Sequence, residues 1–263
     1  MFFIVAGTFA VVYGILYVAN LIHPVLRFCL ETFFIYQILA TKSLKTESMK
    51  VYKKLKEGDL IGARKEVSYL VGRDTENLDE SEVAKADVET IAENTADGVI
   101  APMIFIAIGG APLGFAYKAV NTLDSMVAYK NEELINIGFF SAKMDDICNF
   151  IPARFAAVML MIASLILRFD FKGAVKIFKR DRFAHLSPNS AQTEAVAAGA
   201  LQIQLGGTHN YFGKAVVKPT IGDDIRPVEY EDIKRTNQLL YVSAVLSMAV
   251  CCLITFLIYV QLF

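Results

Sequence analysis

Three carboxylates recur at intervals of four, at Glu89, Glu93 and Asp97. That spacing puts neighbours on one helical face, where they repel each other unless something cationic sits among them. Hard cations such as Mg²⁺ take oxygen ligands and often bridge to phosphates, and Asn94 adds a neutral oxygen donor beside the row. A solvated acidic helix face has the same pattern. The row, however, runs straight into an uncharged stretch that starts at Gly98, and this placement at an apolar boundary brings the two readings level.

Three further clusters carry chemistry. Asn121-Thr122-Leu123-Asp124-Ser125, with Lys118 before it and Lys130 after it, could bind phosphate, metal or amide groups; a polar turn between helices looks the same. Asp145, Asp146, Asn149 and Arg154 follow, with Asp145 and Asn149 on one helical face. Arg154 lies two residues after Pro152 in an apolar context. An ionisable group there is a functional candidate, although snorkelling to headgroups or pairing with an aspartate would also explain it. The last cluster runs from Arg180 to Asp224 and holds Ser187, Asn189, Glu194, Gly206, Gly207, Asn210, Gly213 and Lys214. It is no P-loop: five residues separate Gly207 from Gly213, and Ala215 follows Lys214 where Ser or Thr is needed. His23, His185 and His209 lack metal-ligand spacing, which argues against zinc.

The elements that must position these groups are largely membrane helices. Hydrophobic residues make up 55% of the 263, in blocks, and the formal net charge is −1, which gives no reason to expect nucleic acid as a partner. About 20 apolar residues cross a bilayer core. Residues 1–22 carry no charge and no cleavable leader pattern, so they read as a retained span. Residues 28–41 form a second span interrupted by Glu31. Residues 98–117, with Pro102, Gly109, Gly110 and Pro112, form a kinked span or a re-entrant segment. Residues 147–167 and 239–263 complete the set. The four cysteines form no CxxC pair and read as buried reduced thiols.

Two polar segments, 42–97 and 168–235, begin with lysine- and arginine-rich runs and are therefore assigned to the cytoplasmic side. The first should hold three helices: 42–57, one capped by Asp59 and ending near Gly72, and one capped by Asp79 or Ser81 and running to about Asp97. Residues 215–218 give the best strand signal. The class is mainly α, a polytopic helical membrane protein with four or five membrane segments, read as one domain over 1–263.

Taken in order, several stretches resemble one family. They are Val71-Gly72-Arg73-Asp74-Thr75, Glu89 through Gly98, Tyr117 through Met126, Asp145-Asp146, and Asn149 with Pro152-Ala153-Arg154. Ser187-Pro188-Asn189, Glu194-Ala195, Leu205-Gly206-Gly207 and Asn210-Tyr211-Phe212-Gly213 follow. The chain is similar to the CobD/CbiB family of cobalamin biosynthesis, the adenosylcobinamide-phosphate synthases. That resemblance implies an ATP-dependent amide ligation with Mg²⁺, joining (R)-1-amino-2-propanol or its O-phosphate to adenosylcobyric acid in the cell membrane. Other cobalamin-assembly enzymes are expected partners. Family members usually begin with a further segment bearing Gly-Asp-Pro and His-Pro-Val-Arg motifs, and this segment is expected to be absent here.

Chemistry then suggests roles for the matched positions. Glu89, Glu93, Asp97 and Asp124 serve Mg²⁺ or polar substrate groups, the metal falling to Glu93, Asp97 and Asp124. Arg73, Lys118, Arg154 and Lys214 hold phosphates or a carboxylate. Asp145 or Asp146 accepts the ammonium proton, because only a neutral amine attacks. Asp74, Asn94, Asn121, Asn149, Ser187, Asn189, Glu194 and Asn210 contact substrate. The competing readings are a transporter, since membrane carboxylates also mark ion paths, and a non-catalytic membrane scaffold.

Overall fold

The computed structural model describes residues 1–127, 135–211 and 213–262; Lys130, Phe212 and the last residue of the 239–263 stretch lie outside them. In chain order the elements are α1 (Phe2–Ile22), α2 (Pro24–Ile38), α3 (Thr41–Lys56), α4 (Leu60–Ser68) and α5 (Glu80–Asn94). A π-helical turn (Thr95–Ile100) leads into α6 (Ala101–Val127), followed by α7 (Ile135–Ile166), α8 (Phe171–Asp181) and α9 (Ser190–Leu201). The hairpin β1 (Leu205–Tyr211) and β2 (Lys214–Ile221) precedes α10 (Tyr230–Leu262). Among the described residues, four helical stretches are long and apolar enough to cross a membrane: Phe2–Ile22, Glu80–Met126, Gly138–Ile166 and Tyr230–Leu257. The chain is thus a mainly α, polytopic helical membrane protein. The expected span at 28–41 is not among the four. Its helix, α2, has 15 residues, about 22 Å at 1.5 Å per residue, short of a core roughly 30 Å thick.

The chain, read as one domain from its sequence, packs as two compact units, each assembled from separate stretches. The first takes Met1–Ala40, Asp97–Pro152 and Ser247–Phe263. His23 is extended and Pro24 occupies the first turn of α2, so the chain breaks where His23-Pro24 predicts. Val12, Leu16 and Ala111 form a core closed by Leu30, Phe34, Ile35 and Phe115. The kink foreseen between 98 and 117 falls at Gly109 and Gly110, whose backbone leaves the helical region. Gly110 has φ +65°, and a Cβ there would lie 2.5 Å from Glu31 Oε1. The same oxygen accepts the Ala111 N–H at 3.4 Å, so the lone acid of α2 caps the second half of a broken helix.

The second unit takes Thr41–Ala96 and Ala153–Leu246. Asp59 caps α4 by accepting the Gly62 N–H, and Asp79 and Glu82 form a reciprocal capping box on α5. Helix α4 stops at Ser68, earlier than the expected end near Gly72. Helix α9, rich in alanine, is buried all round, as a helix without a polar face must be. Its close approach to α8 needs Gly199: a Cβ there would lie 2.4 Å from the Gly173 carbonyl. Tyr52 donates to Glu231 at 2.8 Å and Asn237 to Ser48 at 2.9 Å, tying the start of α10 to α3. The strand expected at 215–218 is the middle of β2; its partner β1 carries no alternating apolar pattern and was not foreseen.

Candidate active site

Helix α5 brings Glu89 and Glu93 to one wall of a cavity of about 180 Å³ in the second unit. Arg73 and Asn94 also line it, with His185, Glu194, His209, Tyr211 and Lys218 contributed by the later segments. The glycines of Leu205-Gly206-Gly207 explain how the hairpin reaches α5. A bulge falls between Gly206 and Thr208, and Gly206 and Gly207 both have positive φ, at 73° and 99°. A Cβ on Gly206 would meet the Pro219 carbonyl at 2.3 Å. Only glycine therefore lets the Gly206 N–H turn inward, where it donates to Glu89 Oε1 at 2.7 Å.

The other oxygen of Glu89 holds the Arg73 guanidinium at 2.9 Å, with both side chains largely buried. Arg73 Nη1 also lies 2.8 Å from the ring nitrogens of His209. Burial, then the charges of Arg73, Lys218 and Lys85, push the His209 imidazole down to about 3. It is neutral at physiological pH, and its 3.9 Å approach to Glu89 is not an ion pair there. His185 Nδ1 accepts the Ser187 N–H at 3.1 Å, which leaves the proton of the neutral ring on Nε2. Burial holds this imidazole too below its ordinary value, although Glu93 and Glu89 oppose the shift.

Glu194 is the deepest acid of the cavity. Burial, then the like charges of Glu93 and Glu89, raise its carboxyl well above the ordinary carboxylate range, which favours its neutral form. Lys218 resists the downward pull of its burial: the Tyr211 hydroxyl and the charge of Glu93 hold its ammonium above the usual value. Glu93 accepts the Ser190 hydroxyl at 2.7 Å. The cavity therefore offers a fixed guanidinium, a lysine cation, the Glu93 carboxylate, a buried carboxyl biased toward its neutral form and two imidazoles whose surroundings favour the neutral ring. It can bind a polyanion and position a carboxyl group.

Of the sequence candidates, Arg73, Glu89, Glu93, Asn94 and Glu194 meet in this cavity. Asp74 instead clasps the hairpin, accepting the Gly213 N–H at 2.8 Å and donating its own N–H to the Asn210 carbonyl at 2.8 Å. Lys214 is exposed at the start of β2, and Asn210 is exposed as well; the hairpin lysine in the cavity is Lys218, four residues further along the strand and beside the bulge. Arg154, Ser187 and Asn189 gather at the start of α9. Tyr211 stood in the Asn210–Gly213 stretch and His185 in the Arg180–Asp224 cluster, neither with a role assigned, whereas His209, Lys218 and Ser190 had no motif to mark them. Under period-two alternation Lys214, Val216 and Lys218 share one face of β2, so that pattern could not set Lys218 apart from Lys214.

In the first unit, Asp145 accepts N–H groups from Asn121 at 3.3 Å and Asn149 at 2.9 Å. Tyr117 donates toward Asn149 Oδ1 at 2.8 Å and the Asp97 carbonyl at 2.9 Å. Lys118 lies within electrostatic reach of Asp97 and Asp145. Asp124 follows Asn121 by three residues on α6, and Asp146 lies 3.6 Å from Lys143. Among the described residues, no three His, Cys, Asp or Glu side chains are arranged to hold a metal ion unaided.

The family model described as "CobD/Cbib protein" matches residues 1–240. A protein of Clostridium perfringens named "Cobalamin biosynthesis protein CobD" is 54% identical over 252 residues, covering 96% of this chain and 80% of the relative. The protein of the same name from Klebsiella pneumoniae is 47% identical, covering 95% and 78%. A Salmonella choleraesuis "Cobalamin biosynthesis protein CbiB" is 48% identical, covering 94% and 77%. No solved structure matches the chain.

Proposed function

The chain belongs to the CobD/CbiB family of cobalamin biosynthesis, and from that premise we propose that it is an acid–amine ligase of the cell membrane. In this reading it joins adenosylcobyric acid to (R)-1-amino-2-propanol or its O-phosphate at the expense of ATP. The observation that carries the reading is the cavity itself, in which Arg73, Lys218 and Glu93 converge within a mainly apolar membrane protein.

A carboxylate does not condense with an amine unaided. One of its oxygens attacks the γ-phosphorus of ATP, and ADP leaves. The amine nitrogen then attacks the acyl carbon, phosphate departs, and the amide remains. Both steps move charge on phosphoryl oxygens, which fixed donors stabilise. Lys218 and the Nε2–H of His185 serve there. Arg73 is pre-oriented by Glu89, itself held by the Gly206 N–H, and Glu194, whose surroundings favour its neutral form, donates to the carboxyl group being activated.

Mg²⁺ needs few protein ligands when phosphates supply the rest. The hard oxygens of Glu93 and Asn94 on the cavity wall fit such a role, and the metal would spread the charge of the nucleotide phosphates. Asp97 and Asp124, also offered for the metal by the sequence, belong to the first unit. Asp145 already accepts two amide N–H groups, so the amine attacks in its neutral form and the proton it sheds on forming the amide passes to the departing phosphate rather than to Asp145 or Asp146. The test is a ligation assay on membranes containing the chain, with adenosylcobyric acid, ATP, Mg²⁺ and aminopropanol phosphate. Amide product dependent on ATP is expected. ATP-independent binding of the corrinoid with no amide formed would overturn the assignment in favour of a scaffold.

A further inference from the structure

The cavity has a positive end. Arg73, Lys218 and Lys85 all act on His209 by charge. The acid beside them, Glu89, is already held by Arg73 at 2.9 Å and by the Gly206 N–H at 2.7 Å. The Arg73 side chain is only 5% exposed, and its Nε is enclosed with no acceptor among the described residues. A buried guanidinium short of acceptors costs stability, which a bound oxyanion offsets.

Lys85 is the member of this group that no motif marks and the proposed reaction does not use. It lies one turn before Glu89 on α5, on the same helical face. It is half-buried, and among the described residues its ammonium meets its neighbours through charge alone, with no hydrogen bond. Of those neighbours, Glu82 is spent on the Asp79 N–H at 2.9 Å, and Asp224 is exposed. The side on which Gly207 lacks a side chain leads to this ammonium. A Cβ there would meet one atom within 4 Å, Lys85 Nζ at 3.9 Å, so the bulge keeps the space before the lysine open. Gly207 has φ +99°, which glycine adopts without steric cost. Lys218 and Pro219 fall opposite Gly207 across the bulge, so both lysines border the same opening.

Three cations around one committed carboxylate, with open space before one of them, suit a compact dianion. We propose that Lys85 is a further binding residue of the cavity and that, with Arg73 and Lys218, it holds a phosphoryl group against the Gly206–Gly207 bulge. The ammonium acts there as a point charge with rotatable donors, and the guanidinium fixes direction. The phosphoryl group can belong to a nucleotide or to a phosphorylated amine; both present the same oxygens. The inference rests on the proposed reading only in taking the cavity to receive a phosphorylated compound. Binding is measured without the corrinoid, so the two can fail separately.

The test uses the full chain in dodecyl maltoside, which carries no phosphate. Lysines are trace-labelled with acetic anhydride and mapped by peptide mass spectrometry, each read relative to the exposed Lys214. Inorganic phosphate, ATP or aminopropanol phosphate is titrated against chloride at constant ionic strength. Saturable protection of Lys85 and Lys218 by about fivefold or more is expected, and the compound that protects at the lowest concentration identifies the source. Lys85→Met should raise the half-protecting concentration at Lys218 by about tenfold. Lys85→Arg keeps the charge and should raise it by no more than about threefold. No saturable protection of Lys85 by any of the three compounds overturns the site, even in a chain that ligates. So does a Lys85→Met chain in which Lys218 is protected at the wild-type concentration. Protection in a chain that forms no amide upholds the site and removes the ligase reading instead.

Discussion

The two units of this chain treat polar residues in opposite ways. In the second, charged groups line a cavity and several are left in strained protonation states: a buried acid beside two others, an imidazole beside a guanidinium. In the first, Asp145, Asn149, Asn121 and Tyr117 satisfy one another through amide and hydroxyl bonds. Unsatisfied electrostatics cost stability and are useful to chemistry, whereas a closed network in an apolar helix pair chiefly specifies packing. Motifs that look equally reactive in sequence therefore divide between a charge-lined cavity, the proposed reaction site, and a hydrogen-bonded cluster between α6 and α7.

The sharpest way to break that division is to compare carboxylates. Glu93→Gln keeps an acceptor for Ser190 but removes the charge, and ligation per folded molecule should fall by about 100-fold or more. Asp145→Asn should leave the rate of the folded fraction within about threefold while lowering yield and thermal midpoint. Equal losses of rate in both variants, at unchanged midpoint, would place the chemistry in both units. A smaller effect separates the two hairpin lysines. Lys218→Met should raise the KM for ATP by about tenfold. Lys214→Met, exposed at the hairpin end, should change it by no more than about twofold. The reverse order would return the phosphate contact to the lysine that spacing in the sequence favoured.

The α6–α7 cluster itself predicts a change in stability rather than rate. Tyr117 is buried and donates toward both Asn149 and the Asp97 carbonyl. Tyr117→Phe leaves those acceptors unpaired and should cost about 1–3 kcal/mol, read as a lower midpoint in thermal unfolding in detergent. An unchanged midpoint would mean that the network is not what holds α6 to α7.

Much of this was legible beforehand, and the boundary of what was legible has physical causes. The spans at 1–22, 98–117, 147–167 and 239–263 announce themselves by uninterrupted apolar length, which a bilayer requires regardless of tertiary context. Asp59 and Asp79 were readable as caps because capping is local. Residues 28–41 failed as a span because composition does not reveal where the helix stops: Leu39 turns extended. β1 was invisible because Leu205-Gly206-Gly207 reads as a loop until its bulge is seen to aim an N–H at Glu89. Glu89, Glu93, Arg73 and Glu194 were recognised by type and by family likeness. His185, His209 and Lys218 enter the cavity through long-range folding of the 182–221 region, which no local spacing encodes.

The pH dependence of stability is the effect most specific to the strained cavity. His209 has its proton affinity depressed from 6.5 to about 3, so between those values the unfolded chain binds more protons than the folded one. Its contribution to stability is complete above about pH 6.5 and is lost as pH falls toward 3. Glu194 has the opposite sign. Its carboxyl is raised above the ordinary 4.5, so above that value the folded chain binds the extra proton and stability is lost as pH rises. Wild-type stability should therefore be squeezed from both sides. His209→Gln should flatten the acid limb below pH 6.5, and Glu194→Gln, which cannot ionise, should gain relative to wild type as pH climbs above 4.5. Thermal midpoints measured from pH 4 to 9 in detergent decide it. Curves of Glu194→Gln and wild type that run parallel across that range would mean the acid is not held protonated, and the contrast between a strained cavity and a satisfied cluster would lose its basis.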